Sequence, residues 1–496
     1  QDERQDYGGR VNASFKLFDD WLEVRPAVDY RQAARNNHYP NFQQAMRNNP
    51  TRSPYDPDSE TGYNVWINES LDYNVVADAM LEDYYGLDKW FKPEVNLKLN
   101  IKPIPGLNYQ QVVGYENRQW ELHQYWPSTH RSEIDNSRKG HAHLAFSKTE
   151  NLTSEGYFSY VKDFKGGHNL NATAGYSYFE VNGENFGMDN YNFSVDGIKY
   201  WDIGQGSYLT DGKAGMSSGK SVTERLFSFF ARANYSYQDK YMLSASIRHE
   251  GSSKFAADNR WANFWSATAG WRISNEEFMK DFDWLDDLKI RFGYGVTGNN
   301  DFSATYMANM LGSDTNWMMP NGTWAYSYGK SQNVNPNLGW EEKKEWNLGV
   351  DYSFFEGRLY GKFDYYRREV DNLLFSVKVP QPPYTQGSQM QNIGSMESKG
   401  WEFEVGGDII RTKDFTWSSS MNLSHNTGKI LTLEGDNSYH NGNGFVAPGT
   451  PGDAARMEAG STIGSFYMWK FAGFDDEGKF FKLCNIITVR CKLLLF

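Results

Sequence analysis

The sequence predicts an all-β fold, a transmembrane antiparallel β-barrel with long extracellular loops and short periplasmic turns. Aromatic residues make up 16% of the chain, yet its mean hydropathy is only −0.71. Apolar and polar residues alternate in runs of about ten residues, and short and long connections alternate between the runs, as in outer-membrane barrels. No stretch approaches the ~18–20 apolar residues of a spanning helix, so a helical membrane protein is excluded.

The alternating runs put apolar side chains on one strand face and small or polar ones on the other. Their apolar sets include Leu170–Tyr178, Phe227–Tyr237, Tyr241–Ile247, Trp265–Ile273, Leu288–Val296 and Trp346–Phe354, counted at every second residue. The positions between them include Lys289, Arg291 and Asp351. Because Lys or Arg facing lipid costs about 2–4 kcal/mol at the midplane, these charges are expected to point into the lumen. We count roughly fourteen such strands.

The connections between the runs predict which side each loop occupies. Tight turns are predicted at Asp19-Asp20, Pro105-Gly106, Lys165-Gly167, Gln238-Lys240, Glu356-Arg358 and Thr412-Lys413, and long polar segments at 31–88, 118–154, 180–221, 298–343, 371–397 and 427–460. The one long connection on the short-turn side, 275–287, is expected to hold a helical turn. Aromatic residues near strand ends, namely Trp21, Trp90, Tyr241, Trp261 and Trp417, are predicted to form the interfacial girdles.

Charge and chain ends restrict the function classes. A net charge of −12 and a pI near 5.4 argue against nucleic-acid binding. The N-terminus carries no apolar signal region, so export is inferred and a secretory signal is expected to have been removed or left out.

Cys484 and Cys491 lie together in the final residues, and either a disulfide or an aberrant chain end explains them. A soluble β-sandwich or propeller is the structural alternative, but such folds lack paired aromatic belts.

Four of the strings within residues 10–481 are Ser252-Ser253-Lys254-Phe255, Gly298-Asn299-Asn300, Asn335-Pro336-Asn337-Leu338 and Lys399-Gly400-Trp401-Glu402. These strings resemble the SusC/RagA family of TonB-linked outer-membrane proteins. The family-motif residues, which are expected to be structural, are Arg248, Gly251, Ser252, Phe255, Arg260, Trp271, Gly298, Asn299, Asn300, Asn335, Pro336, Asn337, Leu338, Trp340, Glu341 and Gly400. They fall in the strand-and-turn segment 243–274, in the strand 288–300 that precedes a large loop, in the return segment 335–341, and in the next hairpin. These strings in this order predict membership of the family.

The resemblance implies a 22-stranded barrel with an N-terminal plug in a Gram-negative outer membrane, surrounded by outer-membrane lipids. It also implies a SusD-like surface lipoprotein as a lid and the TonB complex as the source of energy. Residues 1–481 are expected to form a partial barrel domain without the plug, and 482–496 an aberrant tail that resembles nothing in the family. A partial set of strands is not expected to close a barrel alone, because unpaired backbone groups are costly in lipid.

Motifs for catalysis, metals or cofactors give weak signals. Gly293 to Gly298 match a dinucleotide pattern and Gly219-Lys220-Ser221 the end of a phosphate loop, but neither has the strand–helix context. His141 and His143 are expected to be an exposed pair rather than metal ligands. The acidic turns 56–60 and 475–477 lack calcium-loop spacing. We therefore predict no enzyme activity, no metal and no cofactor.

Aromatic residues in the long loops are the candidate ligand-binding residues. They are Tyr200, Trp201, Trp317, Trp324, Tyr326 and Tyr384. Flat rings among Asn, Asp and Gly suit sugars, although these rings could equally pack the loops together or dock the lid. The predicted function is TonB-dependent import of oligosaccharides or peptides. The alternatives are a passive porin, a surface receptor or adhesin, and a secreted carbohydrate-binding protein.

Overall fold

The computed structural model describes residues 3–36, 41–66, 73–308, 311–433, 440–441, 456–465, 469–474 and 480–484. Strands dominate these residues, and the α-helices among them are short: α1 (Phe42–Arg47), α2 (Val75–Leu81) and α3 (Arg131–Asp135). Within the described ranges, no helix is both long enough and apolar enough to cross a bilayer.

The strands follow one another closely along the chain. The first twelve are β1 (Glu3–Asn12), β2 (Phe15–Leu17), β3 (Leu22–Asn36), β4 (Asp83–Asn100), β5 (Leu107–Trp126), β6 (His141–Phe164), β7 (His168–Tyr191), β8 (Gly215–Lys220), β9 (Glu224–Tyr237), β10 (Tyr241–Ser252), β11 (Trp261–Arg272) and β12 (Leu285–Asn299). The others are β13 (Leu311–Met318), β14 (Trp324–Lys330), β15 (Glu341–Phe354), β16 (Leu359–Asp371), β17 (Leu374–Lys378), β18 (Ser388–Asn392), β19 (Ser395–Arg411), β20 (Thr416–Thr432), β21 (His440–Asn441), β22 (Arg456–Met457), β23 (Trp469–Phe474) and β24 (Phe480–Cys484).

One sheet of sixteen strands organises the described residues. Fourteen of them follow the order β1-β3-β4-β5-β6-β7-β9-β10-β11-β12-β15-β16-β19-β20, while β2 pairs with β3 and β8 with β7. Neighbours in this order follow one another along the chain once the strands outside this order, such as β13–β14 and β17–β18, are set aside. This is the up-and-down topology of membrane barrels. The predicted all-β fold and the count of about fourteen barrel strands are confirmed, and within the described residues the order begins at β1 and ends at β20.

The chain divides into two compact units. The first unit comprises residues 1–102, 109–156 and 177–225, and the second comprises 103–108, 157–176 and 226–496. In the first unit, the indole of Trp90 lies between the guanidinium groups of Arg31 and Arg118, which are 5.2 and 5.0 Å from the ring centre. The placement of Trp90 in an interfacial girdle stays a prediction, and the structure adds that two guanidinium groups lie over its ring.

In the second unit, one sheet face follows the predicted period of two. Tyr241, Leu243 and Ile247 are exposed along β10, and the polar residues between them are partly covered. The register places Leu243 opposite Ala269 and Ile247 opposite Trp265. The row continues over β12, β15, β16 and β19 through Phe292, Leu348, Tyr365 and Trp401. Such an exposed apolar band is what a barrel presents to hydrocarbon.

The opposite face of the same strands carries paired charges. The Arg291 guanidinium donates to Asp351 at 3.1 Å and to Asp364 at 2.8 Å. On the next strands, the ammonium of Lys362 lies 2.9 Å from the carboxylate of Glu404. Arg291 and Asp351 therefore share the face opposite the apolar band, as the sequence predicts.

The short turns lie at the six predicted places. At 18–20 and 355–357 every residue has a positive φ, which gives the local twist that a tight antiparallel connection requires. Gly106 has a φ of +90°, and a β-carbon there would lie 2.0 Å from the carbonyl oxygen of Val161. Only glycine therefore fits this turn without a backbone shift.

Three strands, β5, β6 and β7, are longer than the sequence predicts. The segments 118–154 and 180–221 were expected to be loops, yet β6 and β7 each contain 24 residues and β5 continues to Trp126. A barrel strand needs only about 9–11 residues to cross a bilayer. Beyond that length water contacts both faces of the strand, so the sequence no longer alternates between apolar and polar residues. The backbone pairing of the strand nevertheless continues.

The connection between β11 and β12 contains two 3-10 turns, Ile273–Asn275 and Glu277–Met279, where a helical turn is predicted. The carboxylate of Glu276 accepts from the hydroxyl of Tyr241 at 2.6 Å, the indole nitrogen of Trp271 at 3.0 Å and the ammonium of Lys240 at 3.1 Å. These three donors, led by the Tyr241 hydroxyl, lower the pKa of Glu276 from 4.5 to about 2.

We expect the stabilisation by Glu276 to depend on acidic pH. Because its folded pKa lies below its unfolded value, the stabilisation is present above pH 4.5 and is lost as the pH falls towards 2. In detergent-solubilised full-length protein, the melting-temperature difference between wild type and Glu276→Gln should shrink over this range. Glu277→Gln is the matched comparison, since the pKa of Glu277 is also lowered but, among the described residues, Lys280 is the one side chain that bonds to it, so its pH-dependent difference should be smaller. A wild type–Glu276→Gln difference independent of pH would contradict the role of the ionised carboxylate.

The predictions for the chain end fall largely outside the described residues. Backbone residues up to Cys484 belong to β24, which pairs with β23. Cys491 and the remainder of the predicted tail, 485–496, lie outside the described residues, as does the acidic turn 475–477. The pairing of the two cysteines and the boundary at 481 stay predictions.

Candidate functional site

A cluster of large side chains closes the long-loop ends of the second unit. Phe255 is 1% exposed and Leu338 0%, and both pack with Phe264, Trp340 and Met390. We call these five residues the loop hub. The rings of Phe255 and Phe264 lie 4.7 and 5.2 Å from that of Trp340. The hub joins the connection 253–260, strand β11, the return segment before β15, and β18, which are far apart in the sequence.

Hydrogen bonds between the family-motif residues fix the hub. The indole of Trp340 donates to the carbonyl of Arg260 at 2.8 Å, and the backbone nitrogen of Ala256 donates to Leu338 at 3.1 Å. The amide of Asn300 donates to the hydroxyl of Ser252 at 3.3 Å. These contacts tie three separate motif strings together, so the structure gives them a shared role in holding the loops.

Other family-motif residues either form further hydrogen bonds or allow close backbone approaches. Asn299 donates to one carboxylate oxygen of Glu341 at 3.0 Å, and the backbone of Leu374 donates to the other at 3.1 Å. A β-carbon at Gly400 would lie 2.4 Å from the carbonyl oxygen of His425, and one at Gly251 would lie 2.6 Å from the ring of Trp261. Both glycines permit a close approach that a side chain would block.

The buried amide of Asn333 joins two loops. It donates to the carbonyls of Gln386 at 2.7 Å and Ser388 at 2.9 Å. Its oxygen accepts from the backbone and hydroxyl of Thr385 and from the backbone of Gln386. All the hydrogen-bonding groups of one side chain are therefore used to hold segment 379–394 against the return segment.

A polar cavity of about 420 Å³ lies beside this clasp. We call it the amide pocket; its lining is Asn335, Pro336, Asn337, Tyr384, Gln389, Gln391, Asn392 and Ile393. Asn392 is fixed by bonds to Gly339 at 2.7 and 2.8 Å. Within the described part of the chain, the exposed Asn337 amide makes no side-chain hydrogen bond, so it is available to a ligand. No charged side chain lines the pocket, which favours an uncharged polar ligand.

The structure divides the predicted aromatic residues among different places. Tyr384 lies in the amide pocket. Trp317 and Trp324 lie on the β13–β14 hairpin and are 66% and 65% exposed. The backbone of Tyr326 belongs to this hairpin, but its side chain lies outside the described residues. Sequence reasoning missed the amide neighbours of Tyr384, although the density of Asn and Gln in 332–337 and 386–392 was a usable signal.

Tyr200 and Trp201 belong to the first unit. Tyr200 packs against the buried group Tyr125, Ala142 and Phe193, with its ring 5.3 Å from that of His123. Burial raises the pKa of Tyr200. The loop is held by Asp196, which accepts from the hydroxyls of Tyr125 and Ser128 at 2.7 Å. Tyr200 thus has a packing role, whereas Trp201 is 77% exposed.

The histidine pair is not exposed, contrary to expectation. The ring of His141 stacks between Trp126 at 4.6 Å and Tyr191 at 4.2 Å. His141 and His143 each place a ring nitrogen 2.8 Å from the same oxygen of Asp189. Sequence reasoning missed Asp189 because it lies on the neighbouring strand β7. Among the described residues, no three His, Cys, Asp or Glu side chains are arranged to hold a metal ion.

The two glycine motifs considered as nucleotide-binding sequences lie in strands of the sheet. Gly293 and Gly295 lie within β12 between paired strands, and β12 is followed by a 3-10 turn rather than an α-helix. Gly219 and Lys220 belong to β8, which pairs with β7. Neither segment has the strand–loop–helix geometry that holds a phosphate.

An exposed apolar band, a charge-paired opposite face and connections of alternating length define the class of transmembrane β-barrels. Residues 20–480 match the family described as "TonB dependent receptor-like, beta-barrel". The chain belongs to this family.

Curated relatives and solved structures support the same assignment. The chain is 36% identical over 276 residues to the TonB-dependent receptor SusC of Bacteroides thetaiotaomicron, covering 54% of this chain and 27% of SusC. It is 31% identical over 398 residues to the TonB-dependent receptor P39 of Formosa agariphila, covering 77% of this chain and 35% of P39. The predicted resemblance to SusC/RagA proteins is confirmed, and the chain spans about a third of the length of these curated relatives.

The fold has a close counterpart among solved structures. The structure of the RagAB peptide transporter matches with a TM-score of 0.77 at 22% identity, covering 96% of this chain and 51% of that chain. The "open-open" state of the RagAB peptide importer matches with a TM-score of 0.76, covering 95% and 50%. At 22% identity, these matches show that the fold is shared and nothing more.

Proposed function

We propose that the full-length protein imports oligosaccharides or peptides across the outer membrane of a Gram-negative bacterium under TonB control. Import proceeds by ligand binding and gated passage, without covalent chemistry. The amide pocket carries this proposal, because it is a concave, uncharged polar site among the long loops where an extracellular ligand arrives. Membership of the TonB-dependent receptor family supports the energy source.

The chemistry of the pocket favours an oligosaccharide. Amide groups both donate and accept hydrogen bonds, as sugar hydroxyls do, and the ring of Tyr384 offers a flat surface for C–H groups. A peptide is the second candidate, since the structurally similar RagAB is a peptide transporter. A peptide would use the same amides through its backbone groups.

The proposed partners are a SusD-like surface lipoprotein and the TonB complex. The β13–β14 hairpin supports the first, because Leu311, Trp317, Trp324 and Tyr328 are all at least 65% exposed on it. The register places Leu311, Trp324 and Tyr328 on one face of the hairpin and Trp317 on the other. Exposed apolar side chains of this kind are typical of an interaction site. The TonB complex would act through a plug region of the full-length protein.

The pocket proposal predicts a loss of uptake in a Tyr384→Ala variant. We expect about tenfold weaker binding of the transported ligand, equivalent to about 1.4 kcal/mol, because the ring contact is removed while the loop stays clasped by Asn333. Uptake of labelled oligosaccharides and peptides by cells carrying the full-length receptor is the measurement. Gln381→Ala is the matched control, since Gln381 lies in the same loop outside the pocket.

Four outcomes would contradict the proposal. Uptake that is unchanged by Tyr384→Ala removes the pocket from the transport path. Uptake that continues in cells without TonB identifies a passive porin instead. Binding without uptake would favour a surface receptor or adhesin, and a full-length protein that stays dissolved without detergent would favour a secreted carbohydrate-binding protein.

A further inference from the structure

Five alanines form a depression on the exposed apolar face of the second unit. Ala172 and Ala174 belong to β7, Ala231 and Ala233 to β9, and Ala245 to β10. The register places Ala245 directly beside Ala233. Because alanine ends at its β-carbon, these strands leave a space of about 500 Å³ in a band otherwise made of larger side chains. We call this space the alanine groove.

Larger apolar side chains form the walls of the alanine groove. Phe158 and Tyr160 of β6 lie on one side and Ile247 of β10 on the other. The one charged residue at the groove, Arg232, alternates with Ala231 and Ala233 and bonds to Asn234 on the opposite face. An open, largely apolar depression in the middle of the strands, continuous with the apolar band, fits a flexible hydrocarbon chain.

The short-turn end of the same face is polar and cationic. Lys162 follows Tyr160 by two residues, so both point to the same side, and its ammonium lies 5.2 Å from the ring of Phe164. His168 lies 2.7 Å from the hydroxyl of Tyr235. Lysine, histidine and tyrosine side chains at one depth are typical of the interface between hydrocarbon and head groups.

The charge of Lys162 is uncompensated. Among the described residues, no carboxylate pairs with its ammonium, and the adjacent Asp163 bonds to Asn169. Lys165 in the following turn adds a second positive charge. An anionic group is therefore the complement that this end of the groove lacks.

We propose that this face binds a glycerophospholipid with an anionic head group, with one acyl chain in the alanine groove and the phosphate beside Lys162. The proposal rests on the proposed outer-membrane location. Because short turns face the periplasm, the lipid comes from the periplasmic leaflet. The site is distinct from the amide pocket, which lies at the long-loop ends of the strands.

Full-length protein in phosphatidylcholine vesicles tests the site, with spin-labelled phosphatidylglycerol or spin-labelled phosphatidylcholine as the probe. We expect the motionally restricted fraction to show about fivefold stronger association with phosphatidylglycerol. Lys162→Gln should abolish this preference without reducing the phosphatidylcholine signal. Ala233→Leu with Ala245→Leu should lower the restricted fraction of both lipids, because the added side chains fill the groove.

Two control variants distinguish an effect at the lipid site from the general effect of removing a lysine or enlarging an apolar side chain. Lys413→Gln removes an exposed lysine from another short turn, and Val350→Leu enlarges a side chain elsewhere on the apolar face; both should behave as wild type. Equal association of the two lipids with the wild type, or an unaltered signal after the groove is filled, would refute the lipid site. A change of oligomeric state on filling the groove, with lipid association unaltered, would assign the face to a second copy of the chain.

Uptake measured on the same variants separates this inference from the proposed function. Normal TonB-dependent uptake without lipid preference would refute the lipid site and leave import intact. TonB-independent uptake with a clear lipid preference would refute the proposed mechanism of import and leave the lipid site intact.

Discussion

Replacing Gly298 with alanine is expected to prevent the loop hub from closing. A β-carbon at this position would lie 2.1 Å from a ring carbon of Phe264 and 2.8 Å from one of Trp340. Neither ring can move aside easily, because both belong to the packed cluster that contains the buried Phe255 and Leu338. Overpacking of this kind costs about 1–3 kcal/mol or more. We expect a lower melting temperature in detergent and faster protease cleavage in 300–340.

The neighbouring glycine of the same strand provides the control for this prediction. A β-carbon at Gly293 would meet only the methyl group of Thr268, at 3.3 Å. Gly293→Ala should therefore change the melting temperature and the cleavage pattern far less than Gly298→Ala. Equal behaviour of the two variants would show that the hub tolerates a side chain at Gly298, which would contradict the packing described above.

The lipid-facing and inward-facing sides of the strands could be predicted, because apolar and polar residues alternate along each strand. In β10, Ser244, Ser246 and Arg248 fall at every second position, which leaves one orientation in which Leu243 and Ile247 face lipid. The tight turns could be predicted for a related reason, since Gly106 and its counterparts allow backbone angles that other residues avoid. Where water reaches both faces, as in the outer halves of β6 and β7, this alternation is lost and the loop boundaries were wrong.

The candidate site could be predicted only in part. Tyr384 was identified as an exposed ring in a polar loop, but the amide pocket depends on pairing between segments more than fifty residues apart, such as Asn335 with Met390. Asp189 was missed for the same reason, because strand pairing brings it to His141 and His143. The motif strings identified Leu338 and Trp340 without their role, since the hub exists only when four separate segments meet.

Replacing Asn333 with alanine is expected to release segment 379–394 from the return segment. The variant loses the two bonds donated to Gln386 and Ser388 and the three accepted from Thr385 and Gln386. Each partly buried group left without a partner costs about 1–3 kcal/mol, so the combined loss exceeds that of any single surface substitution. We expect faster protease cleavage within 379–394.

This variant should also impair transport, because the released segment carries Tyr384, Gln389 and Gln391 away from Asn335 and opens the amide pocket. Asn333→Asp should show an intermediate loss, since the carboxylate still accepts from Thr385 but repels the carbonyls of Gln386 and Ser388. Asn321→Ala is the control, because the bonds of its side chain among the described residues lie within the exposed turn, to Thr323. Weakened uptake in Asn333→Ala with an unchanged cleavage pattern would mean that Asn333 contacts the ligand rather than joining the two loops.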